Sequence, residues 1–297
     1  MLIDVSKPEE RKTMYTIMYW ANNLSIAIGG IAGGFLFKEY LFELLLALSV
    51  TTLITWFLIT FVIHETYIPA SAKDIKPAQH ARKLISNYKE VFSDRVFVLF
   101  VLAGILVLSM EFQLTNYIGI RLANDLPLQN LFGLEFSGIE MTGFLRTENT
   151  ILVVILALFA TRLIKGLNDR AVLMTSCSVF VAGYAIISYT NDIWLLFGAM
   201  FFATIGEVLR VPVQQNYLAN LPPEHARSSY LAVNGLTYNI GNLICSITIT
   251  LSAYLPKLGT TAFMTIIGFL GILIFARIIP ALDERIKPDT NKEARLG

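Results

Sequence analysis

The sequence predicts an all-α polytopic membrane protein, and three observations carry that prediction. Of its 297 residues 55% are hydrophobic and 15% charged, with a mean hydropathy of +0.61, whereas a soluble domain carries roughly 25% charged residues. Thr13 to Phe37 and Leu44 to Ile63 contain no Asp, Glu, Lys, Arg or His, and about 20 such residues suffice to cross a bilayer as a helix. The basic residues also gather in alternate connections, as they do around membrane spans. A net charge of +1 excludes a general binder of nucleic acid, because that affinity needs clustered basic charge. Cys177 and Cys245 lie inside apolar runs and read as small packing residues, not as a disulfide.

Uncharged runs place eight spans near 14–36, 41–63, 96–120, 141–161, 171–190, 193–217, 229–254 and 261–280. The first is too long for a signal peptide and follows a charged Lys7-Pro8-Glu9-Glu10-Arg11-Lys12. The fourth begins among Arg146 and Glu148, and only Asn149 to Thr161 is free of charge. With eight spans both termini share a side, and that side collects 17 of the 23 Lys and Arg residues. The opposite connections hold Lys38, Arg121, Arg146 and Lys257, and Arg210 and Arg277 fall inside spans. Lys and Arg near span ends resist translocation, so both termini are expected in the cytoplasm of a multi-pass cell-membrane protein.

Residues 65–95 form the one long cytoplasmic connection. Pro69, Lys73, Asp74, Lys76 and Pro77 mark its first part as a linker. In the second part Leu84, Tyr88, Val91 and Phe92 share one helical face, with Arg82, Lys83, Asn87 and Lys89 elsewhere. This amphipathic helix suits the membrane surface or the protein's own cytoplasmic face. The chain accordingly divides into 1–64, 65–95 and 96–297.

A weak internal duplication supports that division. Arg11 precedes Asn23 by twelve residues in the first span, and Arg227 precedes Asn239 by twelve in the seventh. Each Arg ends a short loop containing Pro and Glu, and each segment leads into one more span. The offset of 216 residues sets spans one and two opposite spans seven and eight. The second unit then has four spans ahead of its Arg-led helix and the first has none.

Several motifs resemble the major facilitator superfamily. Ser25-Ile26-Ala27-Ile28-Gly29-Gly30-Ile31-Ala32-Gly33-Gly34 is similar to the antiporter motif of its drug:proton exporters, Gly-x-x-x-Gly-Pro-x-x-Gly-Gly. Gly29, Gly33 and Gly34 match, while Ser25 stands for the first Gly and Gly30 for the Pro, which removes the kink attributed to that Pro. Gly166, Asp169 and Arg170 look like the second-half loop signature Gly-x-x-x-Asp-Arg, one residue short. Gly206-Glu207, Pro212, Pro223-Glu224 and Arg227 resemble the tenth-to-eleventh helix region of its multidrug transporters. The resemblance implies eight transmembrane helices of a major-facilitator-type fold lacking its first four, numbered five to twelve of twelve. Independently of the family, Gly29/Gly33 and Gly30/Gly34 are small-x-x-x-small pairs that let membrane helices approach closely.

Ionisable residues deep in a span cost about 2.5–3.5 kcal/mol or more, so each needs a partner or a wet cavity. Glu207 lies about 20 Å into the sixth span at 1.5 Å per residue. With Arg210, Gln214 and Tyr217 it makes one polar face. That face either lines a cavity where Glu207 takes a proton or attracts a cation, or holds a Glu207–Arg210 pair between helices. Gln113, Asn116 and Tyr117 make a second stripe, read here as substrate contacts. Glu111 sits about 200° from Gln113 and is a candidate partner for Arg146. Asp169 and Arg170, with Arg162 and Lys165, form either a conformational latch or an ordinary basic loop.

No P-loop, His-Glu-x-x-His or Cys-x-x-Cys occurs, and His64, His80 and His225 lie outside the spans, so no cofactor or metal is expected. The resemblance implies a secondary-active carrier exporting amphipathic small molecules against protons. The alternative is a truncated carrier without transport of its own, unless another copy or a separate four-helix segment completes it.

Overall fold

The computed structural model describes residues 10–36, 40–62, 77–131 and 133–286. Ten α-helices and one small hairpin follow in order: α1 (Arg11–Leu36), α2 (Leu41–Phe57, continued by a π-turn to Val62), α3 (Pro77–Ser93), α4 (Arg95–Phe112), α5 (Tyr117–Asp125), β1 (Gln129–Leu131), β2 (Leu134–Phe136), α6 (Gly138–Ile164), α7 (Asp169–Tyr189), α8 (Ile193–Asn220), α9 (Arg227–Ser252) and α10 (Lys257–Ile286).

Polar residues between the apolar runs start several of these helices. Asp94 accepts from the Phe97 amide at 3.1 Å, Asn168 from Arg170 at 2.8 Å and Asp192 from Leu195 at 2.8 Å. Ser137 and Glu140 form a capping box at the head of α6. At the other end of α6, Gly166 takes φ +79°, the left-handed residue that commonly stops a helix.

Among the described residues six helical segments are long and apolar enough to cross a membrane: Leu41–Val62, Arg95–Asp125, Gly138–Ile164, Asp169–Tyr189, Ile193–Asn220 and Lys257–Arg285. The first and seventh predicted spans form helices of equal reach, α1 and α9, each of 26 residues. Apolarity alone does not single them out, because they carry Asn22, Asn23 and Ser25, or Asn234, Thr237, Tyr238 and Asn239, part-way along. The third span runs on to Asp125 and is broken by a 3₁₀ turn over Gln113–Thr115, with Asn116 at φ −110°, ψ −109°. The antiparallel β1–β2 hairpin, with Gly133 at φ +83°, was not foreseen.

Packing is closest between α7 and α8, where small residues face each other. A Cβ added to Gly206 would meet the Ser176 carbonyl at 2.6 Å, and one on Gly183 would meet the Ala203 Cβ at 2.7 Å. Helix α1 lies on α6 and α8, with Tyr19 and Trp20 against Val153, Ala157, Ala160 and Val208. Helix α2 buries no side chain against the rest of the described chain.

Helix α3 covers the second part of the 65–95 connection, while the linker before it lies outside the described residues. Its Val91 is fully buried, yet Leu84 on the same face and Phe92 beside it stay exposed. The face is thus partly docked on the protein and mostly open.

Candidate functional site

The site is an open cavity of about 420 Å³ between α1, α4, α6, α8 and α9. Glu111, Arg146, Glu207 and Arg210 line it together with Asn22, Asn23, Asn149, Gln214, Gln215, Asn234 and Thr237. Nearly all of its functional groups therefore come from polar side chains on helices whose outer faces are apolar.

Glu207 is 5% exposed and Arg210 3%, and each has partners of its own. The Tyr19 hydroxyl donates to Glu207 Oε1, and Asn149 Nδ2 donates to Glu207 Oε2 at 2.8 Å and to Thr204 Oγ1 at 3.1 Å. Arg210 Nη1 donates to Gln214 Oε1 at 2.7 Å, and its guanidinium lies 4.9 Å from the centre of the Phe180 ring. Glu207 is therefore bonded across to α1 and α6, in place of the Glu207–Arg210 pair that was the alternative reading. Gly104 on α4 leaves room for this arrangement, since a Cβ there would sit 2.8 Å from Gln214 Nε2. Glu111 and Arg146 stand 3.9 Å apart at the nearest atoms.

Other residues singled out in the sequence lie elsewhere. Gln113 is buried with Nε2 donating to Thr248 Oγ1 at 2.8 Å, Asn116 donates to the Phe112 carbonyl at 2.7 Å, and Tyr117 is 5% exposed. None of the three lines the cavity. Along this third span Glu111, not the Gln113 stripe, faces the cavity.

Tyr217 is also away from it: its hydroxyl donates to Asp283 Oδ1 of α10 at 2.7 Å. Ten residues after Glu207 a helix has fallen about 80° short of three turns, and Pro212 interrupts the backbone ladder between them. Tyr217 therefore points off the cavity, and Leu218, one residue on, faces it instead. Gly29 has nothing within 4 Å of an added Cβ, and the packing of Gly30, Gly33 and Gly34 lies outside the described residues.

The duplication has a spatial counterpart. Under the 216-residue offset Tyr19 matches Gly235 and Asn22 matches Tyr238, and all four line the cavity. Asn239, the residue paired with Asn23 in the sequence, does not. Tyr19 and Asn149 escaped the sequence reading altogether. Their one signal is that Asn149 is polar at the head of a charge-free run and that Tyr19 lies one turn before Asn23.

Beyond the cavity, at the end where the basic residues gather, α1 is tied to α6, α7 and α8. Lys12 Nζ reaches Asp169 Oδ1 at 2.5 Å, Arg11 donates to Asn220 and Thr161 donates to Thr16 at 3.2 Å. Asp169, at the head of α7 behind Gly166, is thus held by Lys12, and Arg170 beside it is exposed.

The model of the Major Facilitator Superfamily matches residues 1–145 and again 126–296. The chain is 30% identical over 270 residues to the Na(+), Li(+), K(+)/H(+) antiporter of Planococcus maritimus, an alignment covering 86% of this chain and 62% of that protein. A POT family transporter solved in complex with 5-aminolevulinic acid superposes with a TM-score of 0.50 at 16% identity, over 84% of this chain and 55% of that one. The chain spans less than two thirds of the length of either.

Proposed function

The chain belongs to the Major Facilitator Superfamily of transporters, and from that premise we propose that it is a proton-coupled antiporter whose cargo is a small inorganic cation. The observation that carries this reading is the lining of the cavity: two carboxylates, Glu111 and Glu207, among amide and hydroxyl oxygens. Alkali cations are hard ions that bind oxygen, and a carboxylate binds either a proton or such a cation but not both at once. That exclusion is the elementary requirement of exchange. Pockets for amphipathic molecules are mostly apolar with a few polar groups, and this lining carries far more than a few: four charged side chains and a set of amides. It favours a cation over the amphipathic drugs that the glycine-rich run implies. The named activity of the Planococcus relative agrees with that choice.

Glu207 is the proton- and cation-carrying group in this reading, with Tyr19 and Asn149 orienting it. Arg146 and Arg210 offset the charge of the carboxylates. The eight long helices correspond to helices five to twelve of the family's twelve, the basic end faces the cytoplasm, and 1–64, 65–95 and 96–297 are the end of one bundle, the connection and the second bundle. Rocking of two six-helix bundles about a midplane site calls for four more helices beside α1 and α2, in the same polypeptide or from another copy.

The test uses everted membrane vesicles containing the protein, acidified by respiration and followed with a pH-sensitive dye. Sodium, lithium or potassium chloride should discharge the gradient, and Glu207→Gln should reduce that discharge at least about ten-fold, the scale of a lost charged contact. Discharge by ethidium but by none of the three salts would replace the cation with an amphipathic cargo. No discharge by either would leave the chain without transport of its own.

A further inference from the structure

A groove of about 360 Å³ runs between α1 and α6 on the outer surface of the helix bundle. Ile17, Trp20 and Leu158 form its apolar walls, and Thr13, Arg162 and Lys165 stand at its basic end. Ile17 and Leu158 are each 57% exposed, so the walls are open on the described surface of the bundle. Trp20 lies seven residues along α1 from Thr13, about 10 Å at 1.5 Å per residue. That reach is roughly two thirds of one hydrocarbon leaflet of about 15 Å.

The charges at its mouth are unbalanced. Arg162 is in the last turn of α6 and Lys165 caps it. Neither has a carboxylate within 4.0 Å among the described residues, and Asp169, four residues on, is taken by Lys12. A second groove of the same volume, about 360 Å³, on the other flank of α6 against α7 and α8 has no charged side chain in its lining. An apolar furrow alone is therefore ordinary on this surface. The basic pair at the mouth distinguishes the α1–α6 groove.

We propose that the groove between α1 and α6 binds an anionic phospholipid of the leaflet at the basic end, with its phosphate on Arg162 and Lys165 and an acyl chain along Ile17, Trp20 and Leu158. A guanidinium grips phosphate oxygens in pairs and an ammonium adds a point charge. The leaflet into which basic residues collect is also the one rich in anionic lipid. The bound lipid touches α1 and α6, two of the helices whose contacts hold the basic end together, so it reinforces their packing there. The assignment holds whatever the cargo is.

Trp20 reports on its own groove. A Trp56→Phe/Trp194→Phe variant leaves it as the single tryptophan of the three. The variant is placed in phosphatidylcholine vesicles with increasing fractions of chain-brominated phosphatidylglycerol or chain-brominated phosphatidylcholine, whose bromines quench indole on contact. Phosphatidylglycerol should quench Trp20 with about thirty-fold higher relative affinity, the scale of two basic residues at a membrane surface. Arg162→Gln/Lys165→Gln should bring the ratio toward one while quenching by phosphatidylcholine is unchanged, and Lys165→Gln alone should give an intermediate ratio. Equal quenching by the two lipids, or a preference that survives both substitutions, overturns the proposal. Loss of the preference on adding millimolar inorganic phosphate makes it a site for free phosphate and likewise overturns the lipid.

Discussion

A carboxylate carried into hydrocarbon costs several kcal/mol unless donors replace its water, and Glu207 has two such donors, the Tyr19 hydroxyl and the Asn149 amide. The energetic penalty is what makes Glu207 and Arg210 conspicuous in the sequence. It says nothing about which neighbours meet the penalty, so Tyr19 and Asn149, ordinary residues with no periodic pattern, stay invisible until the helices are assembled. At the basic end a different acid shows how much an ion pair can be separated from a cap. Burial alone would raise the Asp94 carboxyl, but Arg285 at 2.8 and 2.9 Å, the Phe97 amide and the Tyr230 hydroxyl hold it below its ordinary value. Its ionised form therefore stabilises the fold above about pH 4, and the gain is lost as the pH falls through the lowered value. Asn caps a helix as well as Asp, so Asp94→Asn should remove only the ionic part, about 1 kcal/mol for a partly exposed pair. Melting curves in detergent should show the variant less stable at pH 7, with the gap closing below about pH 4.

Long elements are the part of the fold that can be read from composition, because a bilayer demands an uninterrupted apolar run and charges end it. The break at Gln113–Thr115 and the β1–β2 hairpin are not readable that way. Neither Gly nor Pro marks the break, and strands of three residues carry too little pattern. Tyr217 lies about 80° round the helix from Glu207, which is why Gln214 and Leu218 line the cavity and Tyr217 does not. Close helix contacts leave a clearer trace in small residues. Gly206 stands against the backbone of α7, so Gly206→Leu should wedge α7 from α8 and cost about 1–3 kcal/mol or more. Gly198 on the same helix has open space around an added Cβ, and Gly198→Leu should melt like the parent.

At the scale of the molecule, α1 sits on α6 and α8 through a small apolar cluster and is fastened at one end by Lys12–Asp169 and Arg11–Asn220. Lys12→Ala should loosen that end. Cys177 and Cys245 are both buried, so a cysteine introduced at Asn22 offers a selective reporter of access to the cavity. An impermeant maleimide supplied from the basic side should label Asn22→Cys several-fold faster when Lys12 is also replaced, and an unchanged rate would mean that the pair does not guard the cavity. The cavity itself has one more property. Its charged lining residues are Glu111, Glu207, Arg146 and Arg210, which sum to zero when all are ionised. Loaded with one proton or one monovalent cation it carries the same single charge. A one-for-one exchange through it moves no net charge, so the membrane potential, which acts with about 2.3 kcal/mol per charge per 100 mV, would neither drive the cycle nor oppose it.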